Sequence, residues 1–176
     1  MGFILKTKRH LILFALLLAC FAASIYFSVK ESRFQKVTQQ IPLLPLEIKS
    51  LEGKLIDKSV LSDKPVLLHF WAYWCYPCLT ELPSLQNLSE THPELKIVPV
   101  HAKFTGEGVA AVVKLWQDNK FSFENFYDEN VEVAKKFGVE KLPSTLIFDK
   151  NHSLIYRVEG ELDWSTSEVS TLLNSL

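Results

Sequence analysis

The feature that most constrains the fold is an apolar strand that runs into a helix through a pair of cysteines. Val66-Leu67-Leu68-His69-Phe70-Trp71 is a nearly continuous apolar run opened by Pro65. It is too short for a typical helix and reads as a strand buried on both faces. From Cys75 to about Glu90, Leu79, Leu82, Leu85 and Leu88 recur every three residues, which lays one apolar stripe along a helix. Cys75 and Cys78 sit at the junction, ringed by Phe70, Trp71, Tyr73, Trp74 and Tyr76.

Ile97-Val98-Pro99-Val100 reads as the next short strand, with the proline marking an unpaired amide. Glu107 to Asn119, with Val109, Val112, Val113 and Trp116, forms a second amphipathic helix, and Phe126-Tyr127-Asp128 a brief extended link. Val131, Ala134 and Phe137 face inward from a third helix that Gly138 closes. Two strands, Thr145 to Phe148 and Leu154 to Val158, flank the polar turn Asp149-Lys150-Asn151-His152. A last helix starts at Ser165 or Thr166 and reaches Leu176. Crossovers early and a hairpin late predict an α/β domain with a mixed central sheet covered by helices on both faces.

The cysteine spacing admits several chemistries. A sulfur at a helix start meets unsatisfied N–H groups and the positive helix end, which favours thiolate. In such settings a cysteine pKa falls from about 8.5 to about 3.5–7.5. Cys75 is therefore the expected nucleophile, and Cys78, one turn on and more covered, the resolving thiol that displaces a partner from a mixed disulfide. A zinc site needs four ligands, but no second Cys-X-X-Cys is present and His69, His92 and His101 lack ligand spacing. A static disulfide over so short a loop stabilises little in the chain-entropy model. A thiol peroxidase would need threonine where Ala72 stands. No metal or cofactor is expected.

Phe70 to Cys78 resembles the thioredoxin active site, and Glu81 with Pro83 resembles the TlpA/ResA/DsbE-like branch of membrane-anchored bacterial thioredoxins. The likeness continues through Phe126-Tyr127-Asp128, Val133 to Val139, Leu142-Pro143-Ser144-Thr145, Phe148-Asp149 and Gly160, and covers roughly Leu43 to Leu176. It implies a thioredoxin-like fold and a thiol:disulfide oxidoreductase. It also implies that Pro143 is cis and lies against the cysteines, with the backbone before it, at Leu142, pairing with substrate as an added strand. The other reading is an ordinary trans turn proline. Glu81, which the resemblance places beside the site, would exchange protons with Cys78; otherwise it is a solvated helix carboxylate. Pro83 should kink its helix. Trp74 shields the site edge or simply packs. His69 departs from the family: thioredoxin has a buried aspartate at that position and TlpA-like proteins often asparagine, so neither role transfers. Two readings stay open, a neutral imidazole assisting Cys78 as a proton relay and a satisfied core histidine.

Lys6, Lys8, Arg9 and His10 precede an uncharged run from Leu11 to Val29 that Lys30 and Glu31 close. At about 1.5 Å per residue such a run matches the roughly 30 Å hydrocarbon core and exceeds a secretory h-region. The expected organisation is a cytoplasmic N-terminus at 1–10, a transmembrane signal anchor at 11–29, a linker at 30–42 and the redox domain at 43–176. Lipidation at Cys20 and cleavage near Ala22 or Ala23 are the competing readings. Lys30, Arg33 and Lys36 leave charge counting inconclusive for orientation.

Nineteen basic against 20 acidic residues, a formal charge of −1, argue against a nucleic-acid partner. Tyr76-Pro77 supplies no cation between the cysteines, which points to a reducing couple. The resemblance implies a monomer in the bacterial cytoplasmic membrane, its redox domain facing the periplasm or exterior. A transmembrane thiol transporter would be the electron donor. Protein disulfides would be the substrates, apocytochrome c cysteines and hence cytochrome c maturation among them. The alternative class is a non-catalytic Cu(I) metallochaperone using the two thiolates.

Overall fold

The structure, a computed structural model, describes residues 14–21, 33–37, 41–43, 46, 48–56, 61, 64–102, 108–174 and 176. The chain divides into two units, Met1–Arg33 and Phe34–Leu176. In the first, residues 14–21 are helical with exposed side chains. Among the described residues no helix is long and apolar enough to cross a membrane. The rest of the expected anchor, 11–13 and 22–29, and its basic N-terminal cluster lie outside them.

The second unit is built on one mixed sheet of seven strands in the order β1-β7-β6-β3-β4-β5-β2. The strands are β1 (Phe34–Lys36), β2 (Lys49–Ser50), β3 (Val66–Trp71), β4 (Lys96–Ala102), β5 (Phe126–Asp128), β6 (Ser144–Phe148) and β7 (Leu154–Glu159). The helices are α1 (Tyr76–Thr91), α2 (Val109–Asn119), α3 (Glu132–Lys136) and α4 (Ser167–Leu173). β3 lies at the centre, parallel to β4 and antiparallel to β6, and all six of its residues are buried. This is the expected thioredoxin-like arrangement.

Side-chain alternation along β3 divides the core in two. Leu67 and Trp71 pack with Cys78, Leu82, Val112 and Val169, beneath α1, α2 and α4. Val66, Leu68 and Phe70 pack on the other face with Leu43, Ile48, Val133 and Ala134. His69 shares the parity of Leu67 and Trp71 and so points toward α1.

Several expectations need correction. The domain begins before Leu43: Phe34–Lys36, read as linker, pairs antiparallel with β7 and buries Phe34. Only one of its three side chains points inward, so there is no alternation long enough to see. Phe126–Asp128 is a full member of the sheet, bonded to β4 and to the two-residue β2. Val131 precedes α3 in the left-handed region, at φ 53°, so that helix is only Glu132–Lys136. α4 ends at Leu173 rather than Leu176, and Thr166 takes its N-cap position without a side-chain cap bond. Gly138, at φ 62°, follows α3 as expected and donates to the Lys135 carbonyl. α1 runs through Pro83 to Thr91; Pro83 is exposed, and Ser84 Oγ donates to the Glu81 carbonyl at 2.9 Å.

Candidate active site

β3 delivers the chain to the site and α1 receives it. Cys75 takes the N-cap position of α1 in extended conformation, and its carbonyl accepts from Cys78 and Leu79. The loop before it is fixed at both ends: Trp71 Nε1 donates to Asn125 Oδ1 at 2.9 Å, and the Tyr73 amide donates to His101 Nε2 at 3.3 Å. His101 in turn stacks on Tyr127 and meets the edge of Trp71, with ring centroids 5.2 and 5.0 Å apart. Asn125 and His101 were not visible as site residues in the sequence, because their partners are set by strand pairing.

Cys75 and Cys78 form a disulfide with S–S 2.00 Å and Cα atoms 5.2 Å apart. Cys75 retains 5% exposure and Cys78 none. An incoming thiolate therefore reaches Cys75, and Cys78 is the leaving and returning sulfur. Around them Tyr73, Trp74 and Tyr76 are exposed, Trp74 at 54% and Tyr76 at 76%, so Trp74 forms a rim rather than a buried packing contact. The Leu142–Pro143 bond is cis, Leu142 is half-buried and Pro143 buried. The Pro143 carbonyl is already taken by the Gly160 amide at 2.9 Å.

Glu81 is not a solvated helix carboxylate. It is 2% exposed and points into the domain. The segment after β7 closes over it by three bonds to one turn of α1. Thr80 Oγ1 donates to Glu161 Oε1 at 2.6 Å, the Leu162 amide donates to Glu81 Oε1, and the Trp164 amide donates to Ser84 Oγ at 3.2 Å. Burial pushes the Glu81 carboxyl up to about 8, with Glu161 adding to the rise. The Leu162 amide opposes it, as does the Trp164 indole N–H, which approaches without completing a hydrogen bond. At neutral pH the carboxyl is mostly protonated.

His69 is wholly buried between the sheet and α1. Its Nδ1 lies 2.9 Å from Thr145 Oγ1, its register partner on β6, and its Nε2 lies 3.7 Å from Glu81 Oε2. Burial lowers its pKa to about 3, so the imidazole is neutral and the contact with Glu81 is not an ion pair at pH 7. The expected site residues His69, Cys75, Cys78, Glu81 and Pro143 thus share one end of the sheet. Thr145, Leu162 and Trp164, which sequence reasoning had not tied to the site, complete it. Among the described residues no group of three or more His, Cys, Asp or Glu side chains is placed to hold a metal.

A disulfide at the head of a helix on a thioredoxin-like sheet, in a domain that also carries a cis Leu142–Pro143 bond, fits a thiol:disulfide oxidoreductase. The chain belongs to the AhpC/TSA family, whose model matches residues 37–157. It is 29% identical over 161 residues to the thiol-disulfide oxidoreductase ResA of Bacillus cereus, covering 88% of this chain and 90% of that protein. It is 27% identical over 146 residues to the sporulation thiol-disulfide oxidoreductase A of Bacillus subtilis, covering 82% and 85%. Among solved structures, StoA from Bacillus subtilis matches with a TM-score of 0.60 at 22% identity over 80% of this chain and 98% of that one. A DsbF homologue from Corynebacterium diphtheriae matches with a TM-score of 0.70 at 19% identity over 84% and 95%. The resemblance to ResA-type thiol-disulfide oxidoreductases is thereby established.

Proposed function

We propose that this oxidoreductase is a membrane-anchored reductant of protein disulfides acting outside the cytoplasm. The uncharged run at 11–29 would hold it in the bacterial cytoplasmic membrane, and a transmembrane thiol transporter would re-reduce it. Extracytoplasmic polypeptides would be its acceptors, apocytochrome c cysteines among them. The observation behind this reading is the unequal access to the two sulfurs, with no cation between them in the sequence. Strong oxidants stabilise a thiolate far below the usual range. Here Tyr76-Pro77 brings no positive charge, and Cys75 is nearly covered.

In the reducing direction the Cys75 thiolate attacks a sulfur of the partner disulfide, the far partner sulfur leaves as thiolate, and a Cys75–partner disulfide forms. Cys78 then loses its proton and attacks Cys75 Sγ. The internal disulfide closes and the partner leaves reduced. Glu81, one turn beyond Cys78, is the group proposed to take that proton. The exposed rim of Tyr73, Trp74 and Tyr76, with the backbone at Leu142, suits an extended polypeptide.

In the full-length protein, Cys78→Ala is expected to leave partners covalently trapped on Cys75, identifiable by mass spectrometry as extracytoplasmic proteins, and Cys75→Ala is expected to trap none. The reductant reading fails if the measured potential lies near −120 mV, the DsbA end of the scale.

A further inference from the structure

The chain Thr145–His69–Glu81 runs from β6 through β3 to α1, and the catalytic scheme above uses only its last member. His69 and Thr145 face each other across the β3–β6 register. Both are buried, and the Thr145 hydroxyl has His69 Nδ1, at 2.9 Å, as its hydrogen-bond partner. A buried hydroxyl left without an acceptor for its proton is costly. If Nδ1 carried the hydrogen, the hydroxyl proton would have nowhere to go. If Thr145 donates to Nδ1, both groups are satisfied and the imidazole hydrogen sits on Nε2. That nitrogen faces Glu81 Oε2 at 3.7 Å, and among the described residues neither atom has a hydrogen-bond partner. Glu81 Oε1 is already held by the Leu162 amide. The one free oxygen of the carboxyl is thus the one His69 addresses.

We infer that His69 is a positioning residue for the thiol step: Thr145 fixes its tautomer, and its Nε2–H donates to Glu81 whenever Glu81 ionises to receive the Cys78 proton. A donor aimed at a carboxylate favours the charged form, and ionisation draws the 3.7 Å contact into hydrogen-bonding range. Burial is the largest cause of the raised Glu81 pKa, about 8, with the Leu162 amide and the Trp164 indole opposing it; an Nε2–H donor that engages on ionisation adds to that opposition and favours the carboxylate form that acts as a base. The other groups facing this pair are few. Cys78 shares its helix, Glu161 and the Trp164 indole approach from the segment after β7, and β4 presents Pro99 opposite His69 with His101 next along the same face. Thr145 does not titrate in this range. The proton leaves Cys78 Sγ and arrives on Glu81 Oε; His69 keeps its own, so no further donor or acceptor is needed.

This inference rests on the thiol-exchange reading above, and one stopped-flow experiment separates the two. Reduced full-length protein mixed with the symmetric disulfide of thionitrobenzoate releases one thionitrobenzoate as Cys75 attacks and a second as Cys78 closes the internal disulfide. The pH profile of the second phase reports the base serving Cys78. Thr145→Val is expected to move its midpoint up by about one pH unit, slowing the second phase at pH 7 by about tenfold. His69→Leu should move it at least as far, Thr145→Ser should restore the wild-type profile, and the first phase should change little in all three. Superimposable second-phase profiles for wild type and Thr145→Val, or a midpoint moving down, would overturn the role of His69. Absence of both phases from the wild type would instead overturn the exchange reading. If His69→Leu does not fold, the Thr145 pair of variants still decides.

Discussion

The two faces of the central sheet bury carboxyl groups in opposite ways. On the face beneath α3, Asp128 is fully answered: its Oδ1 and Oδ2 accept from the Val133 and Ala134 amides at 3.3 and 2.9 Å, so it serves the helix start. Burial still raises its pKa, with those amides opposing. On the face beneath α1, Glu81 has one oxygen answered by the Leu162 amide and the other 3.7 Å from a neutral imidazole, without a completed hydrogen bond. The first arrangement is built to hold structure. The second leaves a buried group poised to change charge, and it lies one turn from the resolving cysteine. The same strand, β3, feeds both: Val66, Leu68 and Phe70 are wholly apolar on one side, whereas His69 interrupts Leu67 and Trp71 on the other.

The contrast breaks if the two faces prove interchangeable. The largest expected effect is on the apolar face, where Leu68→Ala should lower stability by about 2–5 kcal/mol in chemical denaturation. Thiol exchange per folded molecule should stay near wild type.

Glu81→Gln sharpens the comparison through pH. The folded carboxyl titrates at about 8 against an ordinary 4.5, so the native state holds the extra proton and stability falls as pH rises between those values. His69, at about 3 against 6.5, makes stability rise with pH across its own interval, and the two opposite slopes cancel from 4.5 to 6.5. What remains from this pair is a rise below that window and a fall above it. Between pH 6.5 and 8 the oxidised wild type should lose roughly 2 kcal/mol, a descent that Glu81→Gln should abolish. The smallest effect belongs to Asp128→Ala, which should cost about 1 kcal/mol, as loss of a helix-start acceptor does. It should leave the pH profile of the Cys78 step in place. A shift of that profile would mean that the two carboxyls do not have separate tasks.

Local patterns carried the sequence reading as far as local physics reaches. The β3–cysteine–α1 unit was legible because burial, spacing and the helix start lie within one contiguous stretch, and Leu82, Leu85 and Leu88 are indeed its buried stripe. Pro143 was placed by resemblance rather than by any local signal. What escaped depends on long separations. Glu81 is covered by a residue 81 positions away and His69 is fixed by one 76 positions away; neither register is written in periodicity. β1 and β2 were missed for a different reason, since three- and two-residue edge strands are too short to show alternation.

The segment that closes over Glu81 begins just after the last strand, and it is hydrogen-bonded to α1 at Thr80, Glu81 and Ser84. Its composition is therefore a remote control on the sulfur chemistry. Exchanging residues between Glu161 and Trp164 would admit or exclude solvent at the carboxyl and so retune proton traffic at Cys78 without altering either cysteine. A lineage under selection for a new acceptor has that dial available while the exposed docking rim stays the same.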